Sequence, residues 1–179
     1  MMGETTLQDH RAAANKQKNN KYIALKETAL SFVNSQAYNA QLETRMDFSC
    51  LRSITTPSFS HTFGPSYSVS CSPKLQGSFT IETFITHLEG MIPSLERWDI
   101  EVKGIVVDEV GASVVVRASY GMQVKGGSES VENDVVWWLE MEDELRGGGG
   151  GGGWKVRKST EMVDMGAAGR IRELMMKGK

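Results

Sequence analysis

The chain has 179 residues, 40% of them hydrophobic and 23% charged, the make-up of a globular protein long enough to bury a core. Twenty Lys and Arg against 22 Asp and Glu give a net charge of −2, without the clustered cations that nucleic-acid or polybasic membrane binding needs. No apolar run is long enough to span a bilayer and the amino end lacks the apolar core of a secretory leader, so a soluble, cytoplasmic protein is expected.

Residues 1 to about 20 are polar and read as a flexible tail, leaving 21–176 as a single domain. From Lys21, apolar residues at Tyr22, Leu25, Ala29, Phe32 and Val33 predict a helix with one buried stripe. A second helix is predicted over 40–53, burying Leu42, Met46, Cys50 and Leu51. Cys50 and Cys71 have no CxxC spacing and no matching histidine pair, so free thiols are expected and no metal site. Thr55 to Pro73 holds three of the four prolines and many hydroxyl residues, which predicts extended chain and turns. Its aromatic residues Phe59, Phe63 and Tyr67, with His61, imply that this segment packs over something.

The clearest helix runs from Thr80 to Leu95. Ile81, Phe84, Ile85, Leu88, Met91 and Ile92 trace one face, Ser78 or Thr80 can cap its start, and Pro93 tightens its last turn. Asp99 to Asp108 reads as a strand. Three further Val-, Trp- and Tyr-rich runs between Ser113 and Asp164, broken at Gly126-Gly127 and at the 147–153 glycine run, form an antiparallel meander. That glycine run lacks the Gly-Lys-Ser/Thr and the strand-to-helix context of a phosphate loop and reads as a hairpin connection. A short helix over 166–176 closes the chain. Helices over one face of an antiparallel sheet give an α+β architecture.

Alternation along the central strand puts Asn133, Val135, Trp137, Leu139 and Met141 on one face, which faces the core. Glu132, Asp134, Val136, Trp138, Glu140 and Glu142 fall on the other, a mixture that suits coverage by another subunit. Of three histidines, His10 lies in the tail and His87 sits at the edge of a helical stripe. His61 stands among aromatic residues after a proline-bounded turn, as a general acid or base or as a histidine bonded to a loop carbonyl. Glu161 interrupts the last strand: facing a pocket, its pKa would rise and it could exchange protons; facing water, it would pair with Arg157 or Lys158.

The element order and four short strings resemble the nuclear-transport-factor-2-like fold, and within it the small fungal SnoaL-like proteins of secondary metabolism. The strings are His61 with Pro65 four residues on, FITHLEGMIPSLERW, Glu132-Asn133-Asp134-Val135 and Glu161-Met162-Val163-Asp164. Relatives commonly have Asn-Glu-Tyr and Glu-Phe-Val-Asp in the last two; here Asp134, Val135 and Met162 replace the Glu, Tyr and Phe. The resemblance implies a cone, a curved antiparallel sheet packed by three N-terminal helices, usually a homodimer through the outer sheet face. It also implies cofactor-free acid–base chemistry on a polyketide or meroterpenoid: cyclisation, isomerisation or dehydration. On that resemblance His61 and Glu161 are the proton-transfer pair, Asn133 and Arg52 polar stabilisers, and Asp134 a reserve acid should a bulge shift the strand. Phe63, Tyr67, Tyr120 and Trp137 would shape the apolar cavity. The alternative is a non-catalytic ligand-binding or dimerisation module on the same fold.

Overall fold

The structure, a computed structural model, describes residues 20–144 and 153–177. Residues 1–19 of the expected tail and all but the last residue of the glycine run lie outside the described residues. Helix α1 (20–34) buries Leu25, Ala29, Phe32 and Val33 completely, while Tyr22 at the start of its stripe is exposed. The expected helix over 40–53 is instead a set of turns followed by a short helix α2 (Phe48–Ser53). Two local features explain the shortening. Arg45 adopts a left-handed backbone (φ 58°), which no helix interior accommodates, and the Asp47 carboxylate accepts from the Cys50 N–H, starting the helix there.

Thr55–Gly64 is a strand, β1, and not merely a cover, although its pairing with β5 is interrupted between Thr55 and Ser60. The proline-rich text follows it, as the short helix α3 (Ser66–Ser70) and a 3₁₀ turn at Pro73–Leu75. Helix α4 (Ile81–Met91) is capped by Thr80 and passes into a 3₁₀ turn holding Pro93, as its sequence predicts. Strand β2 (Leu95–Asp108) then starts four residues earlier than its alternation suggests. The sheet is completed by β3 (Ser113–Val124), β4 (Ser130–Asp143) and β5 (Trp154–Val163), and α5 (Met165–Lys177) follows. The strand order is β1-β5-β4-β3-β2. Every pair is antiparallel except β1 with β5, which is parallel.

Register shifts interrupt β2 at Leu95/Arg97 and Val102/Gly104, and the β4–β5 pair at Glu140/Met141. Such extra residues bend a strand and raise its local twist, which curves the sheet. The concave side is filled unevenly. At one end Val114, Val116, Trp137, Leu139 and Val156 pack solidly under α1 and α4. There Phe32 meets Trp137 edge-on at 5.4 Å, and Phe59 lies near both Phe32 and Phe84. Towards the other end the same strands present Tyr120, Met122, Asn133 and Val135 to a space that no side chain fills. Phe32, wholly buried between α1 and the sheet, anchors the solid half. Phe32→Ala is expected to cost roughly 3–5 kcal/mol, measured as a lowered midpoint in urea denaturation with an unchanged slope.

Candidate active site

Register decides which side chains share the concave face. His61 is paired with Ser159 and Phe63 with Glu161 across the parallel β1–β5 edge. In turn Ser159 is opposite Leu139 and Glu161 opposite the buried Trp137. Residues directly opposite one another point to the same face, so β1, β4 and β5 bring His61, Phe63, Ser159 and Glu161 inside together. Tyr120 and Asn133 are opposed on β3 and β4 and lie on that face as well.

These residues stand at the boundary of the solid and hollow halves. The hollow is a cavity of about 540 Å³, lined by Phe63, Tyr120, Asn133, Val135 and Glu161 from the sheet. Helix α4 contributes His87, Leu88 and Met91, and α5 closes the space with Ala168, Ile171 and Met175. Its interior is largely apolar, as a site for a small organic molecule should be.

His61 is completely buried and does not itself line the cavity. Its ring lies 4.1 Å from Phe84, 4.5 Å from Phe63 and 5.9 Å from Trp137, centroid to centroid. Its Nδ1 is 2.8 Å from Ser159 Oγ, and its Nε2 is 3.8 Å from Glu161 Oε2. Burial, with the nearby His87 charge second, pulls the imidazole down to a pKa of about 3, so it is neutral at pH 7. Glu161 is 14% exposed, at the cavity wall. Burial pushes its carboxyl up to about 8, so the group is mostly protonated at neutral pH. The expected alternative partners, Arg157 and Lys158, both bind Glu140 instead.

Nδ1 shares a hydrogen bond with the Ser159 hydroxyl, which can run in either direction; where Ser159 donates, Nε2–H is the group that faces Glu161 Oε2, at 3.8 Å. Nε2 of His61 and Oδ1 of Asn133 are buried without a hydrogen-bond partner. A buried polar atom left open is costly unless a ligand or a charge-developing neighbour engages it. Tyr120 accepts a hydrogen bond from Trp137 Nε1 at 2.9 Å, leaving its own proton to donate into the cavity. Burial first, and the Glu161 charge second, raise the Tyr120 pKa, so it remains a neutral donor.

Three residues expected in the site are elsewhere. Arg52 is on the surface, gripping Glu82 with two 2.8 Å hydrogen bonds that tie α2 to α4. Asp134 lies on the outer sheet face, held by Arg117. The β3–β4 register is unbroken there, so no bulge turns Asp134 inward. Tyr67, on α3, is 83% exposed and does not line the cavity. Trp137 is inside but behind the wall, where it supports Tyr120 and His61. The residue not anticipated is His87. It lies three residues after Phe84 and four before Met91, a helical spacing that places it on the cavity side of α4. Burial and then the Lys74 charge lower its pKa, so it too is neutral at pH 7.

The curved five-stranded sheet with helices over its concave face is the SnoaL-like form of the nuclear-transport-factor-2-like fold. PrhC from Penicillium brasilianum NBRC 6234 superposes with a TM-score of 0.63 at 16% identity, over 90% of this chain and 91% of that one. The BvnE pinacolase from Penicillium brevicompactum gives 0.65 at 16% identity, over 89% and 95%. A proposed SnoaL-like polyketide cyclase from Jannaschia sp. CCS1 gives 0.60 at 16% identity, over 84% and 92%. No family profile and no curated protein sequence matches the chain. Among the described residues no helix is long and apolar enough to cross a membrane.

The two shifted pKa values act on stability in opposite directions. Between pH 3 and 6.5 the unfolded chain protonates His61 and the fold does not, so stability rises with pH. Between pH 4.5 and 8 the unfolded chain ionises Glu161 and the fold does not, so stability falls. Their joint contribution is therefore expected to be flat between pH 4.5 and 6.5 and to fall by up to about 1.4 kcal/mol per pH unit above that. Urea unfolding of the wild type and Glu161→Gln at pH 6 and pH 8 checks this: the variant should gain relative stability at the higher pH.

Proposed function

We propose that the protein is an acid–base enzyme of secondary metabolism that acts on a polyketide or meroterpenoid intermediate by cyclisation, isomerisation or dehydration, using its own side chains. The observation that carries this reading is the Glu161 carboxyl at the wall of an apolar cavity, 3.8 Å from the buried imidazole of His61, a setting in which burial favours the uncharged form of both groups. Support from likeness is limited to the fold, which is shared with a pinacolase and a proposed polyketide cyclase.

Glu161 gives its proton to a substrate oxygen, where negative charge would otherwise build up as a carbonyl enolises or a hydroxyl leaves. The Tyr120 hydroxyl and the Asn133 amide are placed to hydrogen-bond that oxygen or its neighbour. As Glu161 becomes a carboxylate, His61 Nε2–H closes on Oε2 and offsets the charge in a place where water cannot. The carboxylate is then a base in an apolar wall, with every reason to take a proton from carbon; neutral His87 is a second base on the same cavity. A single group can thus give and take the proton, which suits isomerisation and ring closure alike.

Exchange of protons beside the carbonyl of apolar ketones such as 2-decalone, followed in deuterium oxide by NMR, tests this. Glu161→Gln should lower the catalysed rate by about 10²–10⁴-fold, and His61→Asn by about 10–100-fold. The wild-type rate should fall as pH rises through about 8, where Glu161 loses its proton. Variants that exchange as fast as the wild type would sink the assignment.

We also propose that two copies pair through the outer sheet face. Val106, Val115 and Trp138 are aligned across β2, β3 and β4 there, and Trp138 is 51% exposed. Trp138→Glu is expected to convert a sedimenting dimer to a monomer; an unchanged sedimentation coefficient would count against pairing by this face.

A further inference from the structure

We infer that the mouth of the cavity binds an anionic oxygen head group, carboxylate or phosphate, of an otherwise apolar ligand, between Lys74 and Arg172. The inference rests on reading the cavity as a small-molecule site and adds what kind of molecule enters it. Both residues line the cavity and both are exposed, which puts them at its opening. Lys74 belongs to the 3₁₀ turn Pro73–Leu75, all of which lines the cavity. Arg172 lies on α5 in the spacing Ala168, Ile171, Arg172, Met175, the stripe that closes the space.

Neither cation has a carboxylate partner among the described residues; the same holds for Lys21, Lys26, Arg45, Arg97 and Lys125, but of these seven only Lys74 and Arg172 line the cavity. On α5 itself, Arg170 binds Glu129 and Glu173, and Lys177 binds Glu173. Arg52, Lys103, Arg117, Lys155, Arg157 and Lys158 are all in ion pairs. The cations that remain open at the cavity therefore face it without neutralisation. Glu161 is the only carboxylate lining the cavity among the described residues, and it sits at the inner wall, beside His61. Lys74 also acts on the interior: its charge is one cause of the lowered His87 pKa. A ligand that matches this arrangement has an apolar body for Met91, Met122, Val135 and Ile171 and a negative end that stays at the rim.

Binding of decanoate, decyl phosphate and 1-decanol, measured by titration calorimetry at pH 7.5, tests the inference without any need for turnover. Decanoate or decyl phosphate should bind roughly tenfold more tightly than 1-decanol, and whichever of the two gains more identifies the head group. In Lys74→Met/Arg172→Met the advantage should vanish while 1-decanol binds as before. In Lys74→Glu/Arg172→Glu the anions should bind more weakly than the alcohol. Glu161→Gln should keep the head-group preference, so a loss of exchange activity there and a loss of preference here are separate results. Equal binding of the three probes to the wild type, an anion advantage that survives the Met variant, or no binding at all would each overturn it.

Discussion

The imidazole of His61 can be buried where it is only if it stays uncharged. It lies against the Phe84 ring, with Phe63 and Trp137 on other sides and Ser159 as its single hydrogen-bond partner. Desolvation of that depth disfavours the imidazolium by several pKa units. A charged histidine here would have paired with Glu161 and held it ionised. The neutral one leaves the carboxyl to be governed by its own apolar surroundings, and it keeps its proton. The aromatic rings around His61 thereby bear on the state of Glu161, the one carboxyl group lining the cavity among the described residues.

The hollow depends on the solid half next to it. Trp137 fills the space between α1 and the sheet, meets Phe32 edge-on, and fixes the Tyr120 hydroxyl through its indole N–H. Two residues back along β4 the inward side chain falls to Val135, and two further back to Asn133, so the interior opens. Register shifts bend the sheet, and α5 lies against β3 and β4 at its far end, with a space lined by α4, α5 and the sheet that side chains do not reach. Apolar lining, a curved wall and a late-arriving helix together make a cavity where a flat sheet would have packed shut.

Charged residues illustrate how a sequence can point to the wrong use. Arg52 and Asp134 have the chemistry of a site, yet each is spent on a surface tether, to Glu82 and to Arg117. The first joins two helices and the second two strands. Exposed pairs like these contribute little stability individually, but they consume the charges that might otherwise face a ligand. Lys74 and Arg172 have no such tether among the described residues, and they are the two cations that line the cavity.

Much of the fold was legible in the residues themselves. The apolar stripe of α4, its Thr80 cap and its proline stop are local, and so is the alternation that turned Asn133 and Trp137 inward and Asp134 outward. Asp47 as a helix cap is equally local, an acidic residue three before Cys50 that starts the short second helix. The parallel pairing of β1 with β5 was not legible, because it joins segments about a hundred residues apart through hydrogen bonds that any two extended runs can make.

What the order of amino acids determined by itself was therefore the set of inward side chains on each strand and helix, since periodicity is a property of neighbours along the chain. Which of them meet was decided only in three dimensions. Register placed Glu161 beside His61, the short helix α3 left Tyr67 in solvent, and the incomplete filling of a bent sheet made the cavity beside which one pKa is raised and the other lowered. Burial is a property of the assembled molecule, and no local pattern carries it.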